Sequence, residues 1–219
     1  MQVAPSVYFY PFTSFSENNA NSVIISGPET ILIDPGHKHL WPQLARQIEA
    51  DGLSPADISM VFHTHCHPDH MEAGEILERD YGAVQIMGEV EAEFLQGPGL
   101  EFFPWMGLDY PTGSIGRTLT EGPLDLGDKT VQLYLCPGHT PGSLCLHYPE
   151  AKVLVTGDVI FAQSVGRTDF TGGDHKALAA SIEKLSLLPD VEMILPGHGP
   201  SVIGAAKVAA NFRSVKAYF

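Results

Sequence analysis

Short apolar runs, each ended by a turn, recur along the chain. Val7–Tyr10, Ser22–Ser26, Thr30–Ile33, Ile58–Phe62, Val84–Met87, Thr130–Cys136, Leu144–Tyr148, Val153–Thr156 and Glu192–Leu195 all have the length and β-rich composition of strands. The third stops at Asp34-Pro35-Gly36, a strand end running into a turn. Between the runs the period changes. Leu44 and Ile48 give helical spacing to Leu40–Ala50, and Ile76 and Leu77 give it to Met71–Tyr81. A further helix is expected through Phe94, another over Asp174–Leu188 with Asp174 as its N-cap, and a last one over Ala205–Val215. Strands in blocks with helices between them predict two sheets covered by helices, a layered α/β arrangement in a single domain over residues 1–219.

One stretch breaks the pattern. Residues 97–117 are crowded with Gly, Pro and the aromatics Phe102, Phe103, Trp105 and Tyr110, with no clear period. Long irregular loops in compact domains are often lids or binding loops. The competing reading is a surface excursion pinned down by its aromatics.

The bulk numbers narrow the function. With 44% hydrophobic and 17% charged residues in 219, the chain is long enough to bury a proper core. A formal charge of −14 argues against a nucleic-acid partner, which needs a basic face. No apolar stretch approaches the length of a membrane span, and Met1–Tyr10 lacks the basic start and long apolar segment of a signal peptide. Cys66, Cys136 and Cys145 are an odd, sparse set, which fits a reducing cytoplasm better than a disulfide scaffold. These features fit a cytoplasmic protein whose partner is neither nucleic acid nor membrane.

The chemistry concentrates after the run Ile58–Phe62, in Thr64-His65-Cys66-His67-Pro68-Asp69-His70. If the backbone stays extended there, residues two apart point the same way, so His65 and His67 can share one cation. Pro68 redirects the chain and lets Asp69 and His70 face a second point. The spacing therefore predicts two adjacent divalent cations. Imidazole and carboxylate donors suit zinc, with iron and manganese as alternatives, whereas calcium would take oxygens almost alone. Cys66 is either a further ligand or a filler beneath the loop; the second reading is preferred, because the His and Asp residues already suffice. The bland alternative for the whole segment is a solvated polar loop.

Three distant residues share the same setting, a turn at the end of an apolar strand: His139 in Pro137-Gly138-His139-Thr140-Pro141-Gly142-Ser143, Asp158 after Val153–Gly157, and His198 in Pro196-Gly197-His198-Gly199-Pro200. A lone His beside Gly is commonly a turn residue. Recurrence in one context makes all three ligand candidates.

This order of motifs resembles the metallo-β-lactamase-fold hydrolases. Gly157-Asp158 with Phe161, Gly166-Arg167-Thr168-Asp169-Phe170 and Gly197-His198-Gly199-Pro200 resemble the glyoxalase II branch. The resemblance implies a four-layer αββα sandwich with metals at one edge of the sheets. It implies that His65, His67 and His139 hold a first metal, that Asp69, His70 and His198 hold a second, and that Asp158 bridges them. Asp34 would support the ligand loop from behind, unless it merely forms the turn. Asp69 would also orient the nucleophile or accept its proton. Arg167 would clamp a substrate carboxylate, or else pair with Asp169. The implied reaction is hydrolysis of a small-molecule substrate, a thioester or related acyl ester, by hydroxide formed near neutrality on the metals. Glyoxalase II proper adds a C-terminal helical extension that binds glutathione; this sequence shows one helix before Phe219, so weak use of glutathione is expected. The same fold also carries lactonases, β-lactamases and persulfide dioxygenases. The last would hold one iron at the equivalents of His65, His139 and Asp158, a two-histidine, one-carboxylate site open to oxygen.

Overall fold

Thr30–Ile33 is apolar after its first residue because both of its faces are covered. Ile31 and Ile33 point into a core between two sheets, while Leu32 points the other way, onto Trp41, Ile48 and Leu77. The computed structural model describes residues 1–14 and 16–219. Its first sheet runs in chain order: β1 (Gln2–Ala4), β2 (Val7–Tyr10), β3 (Ser22–Ile25), β4 (Thr30–Ile33), β5 (Ile58–His63), β6 (Val84–Gly88) and β7 (Arg117–Leu119). Pairing is antiparallel as far as β4 and parallel from β4 to β7.

The second sheet is built from β8 (Gly122–Asp125), β9 (Thr130–Leu135), β10 (Leu144–Tyr148) and β11 (Val153–Gly157). A small hairpin, β12 (Ile160–Phe161) with β13 (Ser164–Val165), then leaves it, and β14 (Met193–Pro196) and β15 (Val202–Ile203) complete it in the order β15-β14-β11-β10-β9-β8. Between the sheets lie Ile31, Ile33, Phe62, Ile86, Leu133, Leu146, Val155 and Leu195, all essentially without exposed surface. Truncating one of these aliphatic side chains to alanine costs about 2–5 kcal/mol.

Helices close both outer faces. In chain order they are α1 (Trp41–Ala50), α2 (Pro68–Met71), α3 (Gly74–Tyr81), α4 (Glu89–Leu95), α5 (Phe102–Trp105), α6 (His175–Ser186) and α7 (Ala205–Lys216). Trp41 and Ile48 of α1 and Leu77 of α3 cover the first sheet. Leu178, Ile182 and Leu185 of α6, with Val208, Phe212 and Val215 of α7, cover the second. The four-layer αββα sandwich expected from the sequence is the fold observed. Among the described residues no helix is long and apolar enough to cross a membrane.

Asp174 caps α6 as expected, its carboxylate accepting from the amides of Lys176 at 2.8 Å and Ala177 at 3.0 Å. The single helix expected over Met71–Tyr81 is instead two. The Ala73 amide turns aside to the Gly36 carbonyl at 2.7 Å, and the Asp69 carbonyl accepts from Ala20, so the helical ladder is interrupted between α2 and α3. Residues 97–117 are more ordered than their sequence indicates: a 3₁₀ turn at Pro98–Glu101 precedes α5, and Arg117 already belongs to β7.

Candidate metal centre

Every predicted ligand sits just beyond the end of a strand. His65, His67, Asp69 and His70 follow β5, His139 follows β9, Asp158 follows β11 and His198 follows β14. The two sheets present these ends along one edge, and the donors converge there. Two groupings have all their donor atoms within 4.8 Å of one another: His65 with His67 and His139, and Asp69 with His70 and His198. Asp158 joins them in a third grouping with His65 and His70.

The geometry within each grouping is tight. His67 Nδ1 lies 3.0 Å from both His65 Nε2 and His139 Nε2. His70 Nε2 lies 3.3 Å from His198 Nε2, and His198 Nε2 lies 3.2 Å from Asp69 Oδ2. Asp158 stands between them, Oδ1 3.3 Å from His70 Nε2 and Oδ2 3.6 Å from His139 Nε2. Glycine makes this possible at one point: a Cβ on Gly197 would come within 2.3 Å of Asp158 Oδ1.

Contacts behind the rings set which nitrogen faces inward. His70 Nδ1 donates to Asp34 Oδ2 at 2.8 Å, and His139 Nδ1 donates to the Arg167 carbonyl at 2.7 Å. The Thr64 hydroxyl donates to Asp34 at 2.7 Å and accepts from His65 Nδ1 at 3.0 Å. In all three rings the proton is held at Nδ1, so the Nε2 lone pair is directed into the cluster. His67 is reversed and presents Nδ1; its own Nε2 is buried without a partner among the described residues. Asn18 donates to Asp69 Oδ2 at 2.7 Å.

The donor set fits divalent cations. Burial pushes His67 down to about 3, and burial, first of all, holds His65 well below its ordinary value. These rings stay neutral and keep their lone pairs. Burial also works against a proton on His70, but Asp158, Asp34 and Asp69 overcome it and hold this ring well above the usual range. The field that would keep a proton there is the field that a cation answers. Among the described residues Asp158 Oδ1 is buried and accepts no hydrogen bond, an orphan that a metal would satisfy. Cys66 is not among the donors. It is fully buried with Met71, Met87, Leu95 and Phe103, the filler that the sequence favoured.

The cluster forms the floor of a cavity of about 520 Å³. Phe102, Trp105 and Met106 come from the irregular stretch and face Phe170 from the other sheet's side of the cavity. The Phe102 ring is 4.3 Å from that of His67, and Trp105 is 5.8 Å from Phe170. Composition had marked these aromatics without saying which way they face. Arg167 lines the same cavity with its guanidinium 4.1 Å above Phe170. Its fork is occupied: Nε and Nη2 donate to the two oxygens of Asp169 at 2.9 and 2.6 Å. A second hollow, of about 830 Å³, adjoins the first through Asn18 and His198.

Residues 16–198 match the metallo-beta-lactamase superfamily. The chain is 33% identical to a probable metallo-hydrolase of Methanocaldococcus jannaschii over 83% of itself and 88% of that protein. It is 32% identical to hydroxyacylglutathione hydrolase GloC of Haemophilus influenzae over 96% of itself and 99% of that protein. Among solved structures, TTHA1623 in a di-iron-bound form superimposes with a TM-score of 0.74 at 30% identity, covering 89% of this chain and 94% of the other.

Proposed function

The chain belongs to the metallo-beta-lactamase superfamily of metal-dependent hydrolases, and on that premise we propose that it cleaves a thioester or related acyl ester with two divalent cations. The observation that carries this reading is the position of two donor groupings, joined by Asp158, at the floor of an aromatic-walled cavity of small-molecule size. His65, His67 and His139 would hold one cation and Asp69, His70 and His198 the other, with Asp158 placed to serve either. Divalent cations bound there polarise an acyl carbonyl and bring the pKa of water towards neutrality.

The chain's own groups do the rest. Asp69, fixed by Asn18 on one side and His198 on the other, orients the attacking water and takes its proton. Burial would raise this carboxyl, yet His70 and His198 hold it well below the usual carboxylate range, so it stays an anion that can ligate a cation and accept a hydrogen bond from the water. Phe102, Trp105 and Phe170 seat the apolar part of the acyl group and exclude bulk water. A thiolate leaves without a proton, which suits a site whose one lining arginine is tied to Asp169.

The Haemophilus relative is matched across nearly its whole length and is named for hydroxyacylglutathione, so a glutathione thioester belongs in the test. Because Arg167 is engaged, the glutathione carboxylates gain little on binding. Zinc-, manganese- and iron-loaded protein should be assayed with S-D-lactoylglutathione, the same thioester lacking its γ-glutamyl group, a lactone and a β-lactam. We expect thioesters to be the best substrates, with less than about tenfold loss of kcat/KM on truncation, equivalent to about 1.4 kcal/mol. Faster turnover of the lactone or β-lactam than of any thioester, or oxygen uptake with glutathione persulfide, overturns the reading.

A further inference from the structure

Glu91, on α4, has no exposed surface and touches none of the proposed ligands, yet it bonds to both loops that carry the first grouping. Its Oε1 accepts from the Cys66 amide at 2.9 Å. Its Oε2 accepts from the Gly142 amide at 2.9 Å and the Thr140 hydroxyl at 2.8 Å. Cys66 lies between His65 and His67, and Thr140 directly follows His139.

A space-filling role would be met by an apolar side chain. Removing this carboxylate instead leaves two buried backbone donors, on two separate loops, without partners. The seat has no slack, because a Cβ on Gly142 would come within 2.2 Å of the Glu91 nitrogen. The second grouping is braced by other groups. Asp34 holds His70, Asn18 holds Asp69, and the Asn21 amide donates to the carbonyls of Pro196 and Gly199 on either side of His198, at 3.0 and 2.9 Å.

We propose that Glu91 is a positioning residue that sets the distance between His139 and the pair His65 and His67, and so controls affinity for one of the two cations selectively. This rests on the two-cation reading above. Glutamine keeps the size of the side chain and one acceptor, but turns an NH₂ towards the amide of either Cys66 or Gly142.

The test is a cobalt(II) titration of metal-free wild type, Glu91→Gln and Thr140→Val, followed by visible absorption and bound-metal analysis. The thermal midpoint of each metal-free protein is measured alongside. The expected result is two binding events in the wild type. In Glu91→Gln one should weaken by about tenfold or more, with a changed spectrum, and the other should stay within about twofold. Thr140→Val, which leaves both backbone bonds in place, should shift the same event less; it also carries the test if Glu91→Gln does not fold. Two wild-type affinities with an unchanged spectrum overturn the proposal. So does equal weakening of both events with a lowered metal-free midpoint, the mark of a general structural role. If the wild type binds only one cation, the two-cation reading fails by itself, and Glu91 is judged on whether that one affinity falls.

Discussion

Asp34 Oδ2 lies 2.8 Å from Nδ1 of His70, and the same oxygen accepts the hydroxyl of Thr64, which in turn receives His65 Nδ1. One carboxylate therefore fixes the ring planes of donors in both groupings. Its own backbone sits at φ +52°, the left-handed turn that ends β4 and aims the side chain beneath the ligand loop. Asp34→Ala should lower metal affinity by about 10–100-fold while leaving the donors themselves in place. Competition with a chelator measures it. Activity should be lost at limiting metal and largely recovered in excess; wild-type affinity would remove Asp34 from the metal centre.

Asp158 directs its oxygens at the inward nitrogens of both groupings, towards His70 and His139, so it should be the hardest ligand to replace. Under saturating zinc or manganese the wild type is expected to carry close to two metals per chain. Asp158→Ala should fall clearly below two and lose most hydrolysis. Elemental analysis of gel-filtered protein gives the count, and a full complement of metal with near-normal turnover in the variant would exclude a shared ligand.

Glu78 provides a test with a pH signature. It anchors the end of the irregular stretch, accepting from the Ser114 amide at 3.0 Å, the Ser114 hydroxyl at 2.7 Å and Gln85 at 2.7 Å. Burial would raise this carboxyl, but the bonds from Ser114 and Gln85 outweigh it and hold it below its ordinary value. Its contribution is then fully present above the unfolded pKa and lost as pH falls through the lower folded one. The Tm gap between wild type and Glu78→Gln should be widest near pH 6–7 and should close below about 4.5. A gap that is constant with pH would show that ionisation of Glu78 is not what holds the segment.

Much of the layered fold was legible because its inner strands are buried on both faces and read as unbroken apolar runs. The short strands were not. β1, β7, β12, β13 and β15 have two or three residues each, too few to show a period, and β7 is in addition defined by pairing with β6, far back in the sequence. The break between α2 and α3 was hidden for a related reason, since the carbonyl that draws off the Ala73 amide belongs to Gly36. The donors were visible in sequence because four of them crowd one short segment after β5 and the other three each follow a strand and a glycine. The residues behind them were harder to see: Asn18, Asn21 and Glu91 lie in no motif, and only the folded chain brings them to the loops they hold.

The irregular stretch that supplies Phe102 and Trp105 is fastened at both ends. It leaves from α4 and returns as β7, whose Arg117–Leu119 pairs in parallel with Ile86–Gly88 of β6. Trp105, 70% exposed, stands at the cavity rim on this span, whereas all the proposed metal donors belong to other segments. Replacements at the tip can therefore alter the shape and polarity of the pocket without disturbing the inner edge of either sheet. Changes at Trp105 and Met106 are thus expected to alter the choice of substrate separately from the capacity to hold metal, whereas Phe102, set against His67, and Phe103, packed with Cys66, belong to the support of the ligand loop.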